Sequence, residues 1–295
     1  MTDHFLENAP TCDLFVGGFP CQAFSIMGSG AGLHDVKNRG VVVVWMLLYV
    51  KKNLPTIVIL ENVKGLVDRH KAVLDNVVGA LERMGYVVSW RLLDSRTHGA
   101  VPQSRPRVYI VAFRMSATCG VVWPCEVPCP DLSMILDDTE KIIDYNNYPF
   151  SQISSRTMRE NLKEAVRRVK AVARKESREP TERCVVADLG GSKVQMGWHH
   201  APCLTKTRGG ALAFWTIQHN RPLSVRELAR LQGLDIDRMN ITVSCHQMGG
   251  LLGNGFTCTV LARVCAAAIQ AVEGSATGGL GSATGGHGSA TGGHG

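Results

Sequence analysis

The sequence has no long hydrophobic run. Its longest, "VVVVWMLLYV" at residues 41–50, is about half of what crossing a bilayer requires. It is expected to be a buried helix or strand, and no membrane partner is expected. Nothing behind Met1 has the apolar stretch of a secretory signal. The ten cysteines are irregularly spaced, and at 295 residues the chain is too long for a typical disulfide scaffold. Reduced thiols in an intracellular protein are the expectation. Cys125 and Cys129 form C-x-x-x-C, but no second ligand pair stands nearby, so no metal site is expected. Charge of one sign is only mildly in surplus. The formal net charge of +7 permits a polyanionic partner without requiring one.

What is present reads as α/β over residues 12–113. "CDLFV" (12–16) and "TIVIL" (56–60) are short, apolar and rich in β-branched or aromatic residues, as buried parallel strands are. The segment between them is long enough for a crossover helix. In "KAVLDNVVGALERMGY" (71–86), Val73, Leu74, Val77, Val78, Leu81 and Met84 fall on one helical face. "YVVSWRLL" and "RVYIVAF" (107–113) supply two more strands. Strands alternating with helices imply a sheet with helices on both sides.

After Phe113 the composition shifts to Pro, Cys, Asp and Asn with little periodicity. Residues 155–183 then form a charged helix with ten Lys/Arg against five Glu. A solvated face and a phosphate-facing role are both open there. "RPLSVRELARLQGL" (221–234) starts a helix with a Ser224–Glu227 capping box, flanked by Leu223 and Leu228 as a hydrophobic staple. "GNGFTCTVLARVCAAAIQAV" (253–272) is a Gly-rich turn entering an apolar helix. From 274 the chain repeats GSATGGX three times and has almost nothing to bury, so a disordered tail is expected.

Three features converge on chemistry. Cys21, in "GGFPCQAFS", follows one expected strand, and Glu61 directly follows the next. The carboxyl ends of parallel strands form the ligand crevice, so a thiol and a carboxylate reach the same rim. Arg105 and Arg107 alternate at the start of a third strand and should point the same way. Nearby Arg charge would raise the thiolate fraction of a cysteine. Each feature alone has a plainer reading: a structural cysteine, a surface acid, a solvated strand face. Together they suggest a cysteine-nucleophile enzyme, and residue chemistry alone leaves its substrate open.

"GGFPCQAFS", "ENV", "QSRPRV", "RPLSVRELARLQGL" and "GNG" stand in the order seen in C5-cytosine DNA methyltransferases, over about 240 residues. The chain resembles that family. The resemblance implies a partial Rossmann-like sheet of the kind that uses S-adenosyl-L-methionine, with a smaller target-recognition domain. It implies a catalytic domain over 1–115, a target-recognition region over 116–220 and a return to the catalytic domain over 221–273. It further implies that a cytosine is flipped out of double-stranded DNA, that Cys21 attacks C6, that Glu61 holds N3 and the exocyclic amine, and that Arg107 with Arg105 holds the base carbonyl. Pro20, Val42, Asn254 and Gly255 would contact the cofactor. Gln22 and Ser25, in the loop from Gln22 to Asp35, and Thr205, Lys206, Thr207 and Arg208 would contact DNA.

The family normally opens with D-L-F-x-G-x-G-G, which binds the methionine part of the cofactor, and with acidic residues for ribose and adenine. None is found in these 295 residues. Leu251 stands where the family usually has Gln, and Gly255 where it often has Ser. The expectation is therefore a fragment, or one half of a split enzyme whose partner chain supplies the missing segment. Two other readings stay open: a catalytically inactive DNA-binding subunit, and a methyltransferase acting on cytosine in RNA. The compartment expected is nuclear for a eukaryotic source and cytoplasmic for a bacterial one.

Overall fold

The structure, a computed structural model, describes residues 8–19, 41–114, 123–137, 153–177, 179 and 184–278. These fall into two units. One gathers the described parts of Met1–Arg91, Val108–Trp123 and Cys265–Gly295; the other gathers those of Leu92–Arg107 and Pro124–Val264.

The first unit carries most of a four-stranded sheet, whose residues 92–94 and 106–107 are counted with the second unit. Its strands are β1 (Leu14–Gly18), β2 (Ile57–Val63), β3 (Tyr86–Asp94) and β4 (Pro106–Arg114), in the order β1-β2-β4-β3. β1 runs parallel to β2. β2 and β4 have a strand on each side, so both read as unbroken apolar runs: Ile57–Leu60 and Val108–Phe113 are all buried. β1 lies at the end of the order, and Leu14, Phe15 and Val16 are half-buried. The run at 41–50 is a helix, α1 (Val41–Asn53). Tyr49 of α1 stacks on Phe15 of β1 with ring centroids 5.0 Å apart. Its hydroxyl meets the Cys12 thiol at 3.3 Å, and that hydrogen bond, with burial, pushes the phenol up to about 12. Helix α2 (Lys71–Arg83) buries Val73, Leu74, Val77 and Leu81, the face read from its spacing.

The second unit contains a second sheet, which the sequence did not announce. It comprises β5 (Val185–Asp188), β6 (Gln195–Trp198), β7 (Phe214–Thr216) and β8 (Arg221–Pro222), ordered β6-β5-β7-β8 with every pairing antiparallel. Strands of two to four residues are too short to show a period of two. Helix α3 (Arg156–Glu176) covers this sheet. Leu162, Ala165, Val166 and Val169 pack with Val185, Ala187, Trp215 and Ile217. Helix α4 (Lys206–Gly210) follows β6. Helix α5 (Val225–Arg230) carries the expected capping box, with Ser224 and Glu227 each satisfying the other's backbone N–H. Leu223 and Leu228 are both buried in one core cluster.

Helix α6 (Cys245–Asn254) takes in Gly253 and Asn254, the first two residues of the expected glycine-rich turn. Within residues 245–273 an 18-residue stretch has a mean hydropathy of 1.6, high enough for a membrane span by composition alone. Those residues form two helices, however, broken at Gly255 before α7 (Cys258–Gly278). The division between the units falls inside α7, at 264/265. α7 also runs five residues past the expected end at 273 into the repeat. The rest of the expected tail, from 279, lies outside the described residues.

Candidate active site

Glu61 ends the apolar run of β2 and is half-buried. Its register partner on β1 is Gly18. The chain therefore leaves β1 toward Cys21 at the level of Glu61. Pro20, Cys21, Gln22 and Ser25 themselves lie outside the described residues. The stem of their segment is held by Asn62. This side chain is 2% exposed, and its Nδ2 donates to the Phe19 carbonyl at 2.7 Å. Its Oδ1 accepts from the Val63 N–H at 2.8 Å. An amide fits this place because it can donate and accept at once. Reading "ENV" for its acid alone missed Asn62; the signal available was a polar residue inside a buried strand.

Arg105 and Arg107 approach one thiol. Arg105 Nη1 lies 3.7 Å from Cys203 Sγ, and both Arg107 Nη atoms lie 3.8 Å from it. Their surroundings differ. Arg107 is half-buried, and its Nη1 donates to the Pro106 carbonyl at 2.8 Å. Arg105 is 2% exposed. Its Nη1 donates to the Leu204 carbonyl, and its Nη2 donates to Gly255 O at 2.6 Å and Gly253 O at 3.4 Å. A buried guanidinium is tolerated when its fixed fork of donors finds acceptors, and here three main-chain carbonyls provide them. In this geometry Arg105 ties together the segment entering α4 and the end of α6.

A buried polar network surrounds that tie. Gln103 is fully buried; it donates to Leu231 O and accepts from Leu204 N at 2.7 Å. Gln232 donates to Leu252 O at 2.9 Å and accepts from the Thr257 hydroxyl at 3.1 Å. The Thr257 and Ser95 hydroxyls meet at 2.7 Å. Every member is 2% exposed or less. Satisfied networks of this kind specify one arrangement of their segments. The "QSR", "LQG", "GNGFT" and "PCL" stretches are thereby held in one place.

α4 packs on α6 through glycine. A Cβ added to Gly209 would lie 2.0 Å from Gly249 O, and one added to Gly253 would lie 2.2 Å from Thr205 O. Only glycine allows two backbones so close. This packing presents Thr205, Lys206 and Thr207 as exposed residues. Arg208 is half-buried, and its Nε pairs with Asp188 Oδ2 at 3.1 Å. Of the residues expected at the cofactor, Val42 is half-buried on α1, Asn254 is exposed at the end of α6, and Gly255 has its carbonyl on Arg105. Among the described residues no cluster of three or more His, Cys, Asp or Glu could hold a metal ion.

The solved structure of the Entamoeba histolytica methyltransferase EhMeth has the same fold. The match has a TM-score of 0.54 and 16% identity, and covers 88% of this chain and 77% of that one. The C-5 cytosine-specific DNA methylase family model matches residues 2–270, and the chain belongs to that family. Among curated relatives, it is 27% identical over 256 residues to the Type II methyltransferase M.NgoBI of Neisseria gonorrhoeae, covering 86% of this chain and 73% of that protein. It is 37% identical over 110 residues to the Type II methyltransferase M.Bsp6I of Bacillus sp. (strain RFL6), covering 37% of this chain and 35% of that protein. In that match and the next two, the aligned part spans 25–39% of the relative's length.

Proposed function

We propose that this chain carries the catalytic and target-recognition parts of a DNA (cytosine-5)-methyltransferase. The register of Gly18 against Glu61 carries the reading, because it brings the chain bearing Cys21 off the sheet beside a carboxylate.

On this reading a cytosine is flipped from the duplex, at a cost of a few kcal/mol. The Cys21 thiolate adds to C6, and the C5–C6 π pair moves toward C5. Glu61 holds N3 and the exocyclic amine, so that a proton at N3 stabilises the charge entering the ring. Arg107 holds the base carbonyl. Arg105 shapes the backbone beside it, which is the role its three carbonyl partners support. S-adenosyl-L-methionine, when bound, supplies an electrophilic methyl group for C5. Loss of the C5 proton then returns an electron pair to the ring and expels Cys21 as thiolate.

The described residues suit only part of that cofactor. Val42 offers an apolar side chain and Asn254 an amide donor and acceptor, while Gly255 contributes backbone. Among these there is no carboxylate for the ribose hydroxyls. A second polypeptide that adds a strand beside β1 and brings those groups accounts for this. β1 supports the idea, since β2 is its one sheet neighbour among the described residues and its side chains are half-buried.

The test mixes the purified chain with S-adenosyl-L-methionine and duplex DNA carrying 5-fluorocytosine. Fluorine at C5 blocks the last elimination and traps the adduct. A cofactor-dependent, denaturation-resistant adduct that is lost in Cys21→Ser is the expected result when the cofactor pocket is complete. DNA bound without any adduct, even after a polypeptide carrying the missing segment is added, would leave a DNA-binding subunit and overturn the enzymatic reading.

A further inference from the structure

The outward face of α3 carries a row of cations that the chemistry above does not use. At about 100° per residue, Arg156, Lys163, Arg167, Lys170 and Arg174 fall within about 60° of arc and extend over about 27 Å. The row is turned by about 120° from the face formed by Leu162, Ala165, Val166 and Val169, which is buried against the second sheet. Arg156, Lys163, Arg167 and Arg174 are exposed, as are Arg168 and Lys175 beside the row. Over the 21 residues of α3 there are eight basic and three acidic side chains.

Helix stability does not account for this placement. Arg156 stands in a first turn that has no acidic residue, where the helix dipole disfavours a cation. Lys163 and Arg167, Arg167 and Lys170, and Lys170 and Arg174 are like charges at i,i+4 or i,i+3, spacings at which they repel. Glu160 meets Lys163 at 3.4 Å, and Glu164 meets Arg167 at 2.7 Å and Arg168 at 2.6 Å. Exposed pairs such as these add little stability. Beyond Arg168 the row continues through Lys170 and Arg174. A line of cations on a helix whose other face is buried is complementary to a line of phosphates, and a duplex offers one negative charge per about 1.7 Å of axis.

We infer that the α3 row is a second DNA contact, one that binds the phosphate backbone of duplex DNA without regard to sequence. It rests on the DNA reading above and adds a surface that anchors the duplex while other residues read it.

The test measures the affinity of the whole chain for two unrelated duplexes of about 30 base pairs across a salt series. It compares the unaltered chain with a triple variant, Arg167→Gln, Lys170→Gln and Arg174→Gln. Glutamine keeps helix propensity, and circular dichroism checks that the helix remains. Each phosphate no longer neutralised lowers the slope of log affinity against log salt by about 0.9, so the slope should fall by about two to three. Affinity at about 0.1 M salt should drop at least tenfold, equally for both duplexes. A control triple, Lys51→Gln, Lys52→Gln and Arg83→Gln, removes the same charge from α1 and α2 and should keep most of the slope. An unchanged slope in the α3 variant, an equal loss in the control, or a loss confined to RNA duplexes would overturn the inference. The fluorocytosine adduct, read on the same proteins, separates the two claims. No adduct even with a polypeptide carrying the missing segment added, with the slope behaviour intact, fails the catalytic reading alone. An intact adduct with an unchanged slope fails the α3 surface alone. No duplex binding by the unaltered chain would sink both.

Discussion

Arg105 Nη2 donates to the carbonyl of Gly255 at 2.6 Å, across 150 residues of sequence. The same guanidinium holds Leu204 O, so one side chain joins the entry to α4 with the end of α6. Arg107, two residues along, is only half-buried.

The two arginines should therefore separate in mutation. Arg105→Lys keeps the charge but not the fork, leaving at least one buried carbonyl unmet. It should destabilise the protein by about 3 kcal/mol, read as a lower urea midpoint. Arg107→Lys should cost under about 1 kcal/mol of stability while reducing adduct formation at least tenfold. Equal stability losses in both would show that burial does not distinguish them.

Glu227 makes stability depend on pH. Its burial disfavours the charged form, but Arg221, which donates to both carboxylate oxygens at 2.7 Å, and the N–H groups of Asp137 and Ser224 outweigh burial. The net effect holds the carboxyl below its ordinary value of 4.5. A folded-state value below the unfolded one means that the unfolded chain takes up the proton first as pH falls. The stability this group contributes is complete above 4.5 and is lost as pH drops through the lower folded value. Glu227→Gln should cost about 3 kcal/mol at pH 7 and flatten the acid limb of a stability–pH curve. An acid limb identical to that of the unaltered chain would assign it to other carboxylates.

The glycine contacts between α4 and α6 predict opposite outcomes at neighbouring positions. Gly249→Ala places a Cβ 2.2 Å from Gly209 O, so backbone must move, and a loss of about 3 kcal/mol is expected. Gly250→Ala meets nothing nearer than 3.7 Å and should stabilise α6 by up to about 1 kcal/mol through helix propensity. Thermal melts of the two variants check this. A destabilised Gly250→Ala would mean that α6 lies closer to α4 than the structure places it.

Asn62→Asp keeps the shape but removes the donor to Phe19 O. It should slow adduct formation at least tenfold while leaving DNA affinity within about twofold, because its effect passes through the stem of the Cys21 segment. A tenfold loss of DNA affinity with an unaltered adduct rate would place Asn62 in DNA binding instead.

The sequence by itself determined the four strands of the first sheet and the helices α2, α3 and α5. Apolar runs, a 3.6-residue period and a capping box are local signals, complete within one segment. It also set the order of the motif residues, enough to identify the family resemblance. The role of Arg105 was decided by tertiary structure alone. Its partners are main-chain carbonyls 99 to 150 residues away, and every residue carries a carbonyl, so no side-chain pattern marks them. The same holds for Gly209 and Gly249, which become a helix contact only when two backbones meet. The second sheet likewise took shape through long-range pairing, since strands of two to four residues carry too little pattern to declare themselves. Asn62 lies between these cases: its amide stands in the sequence beside Glu61, but the fold shows which carbonyl it holds.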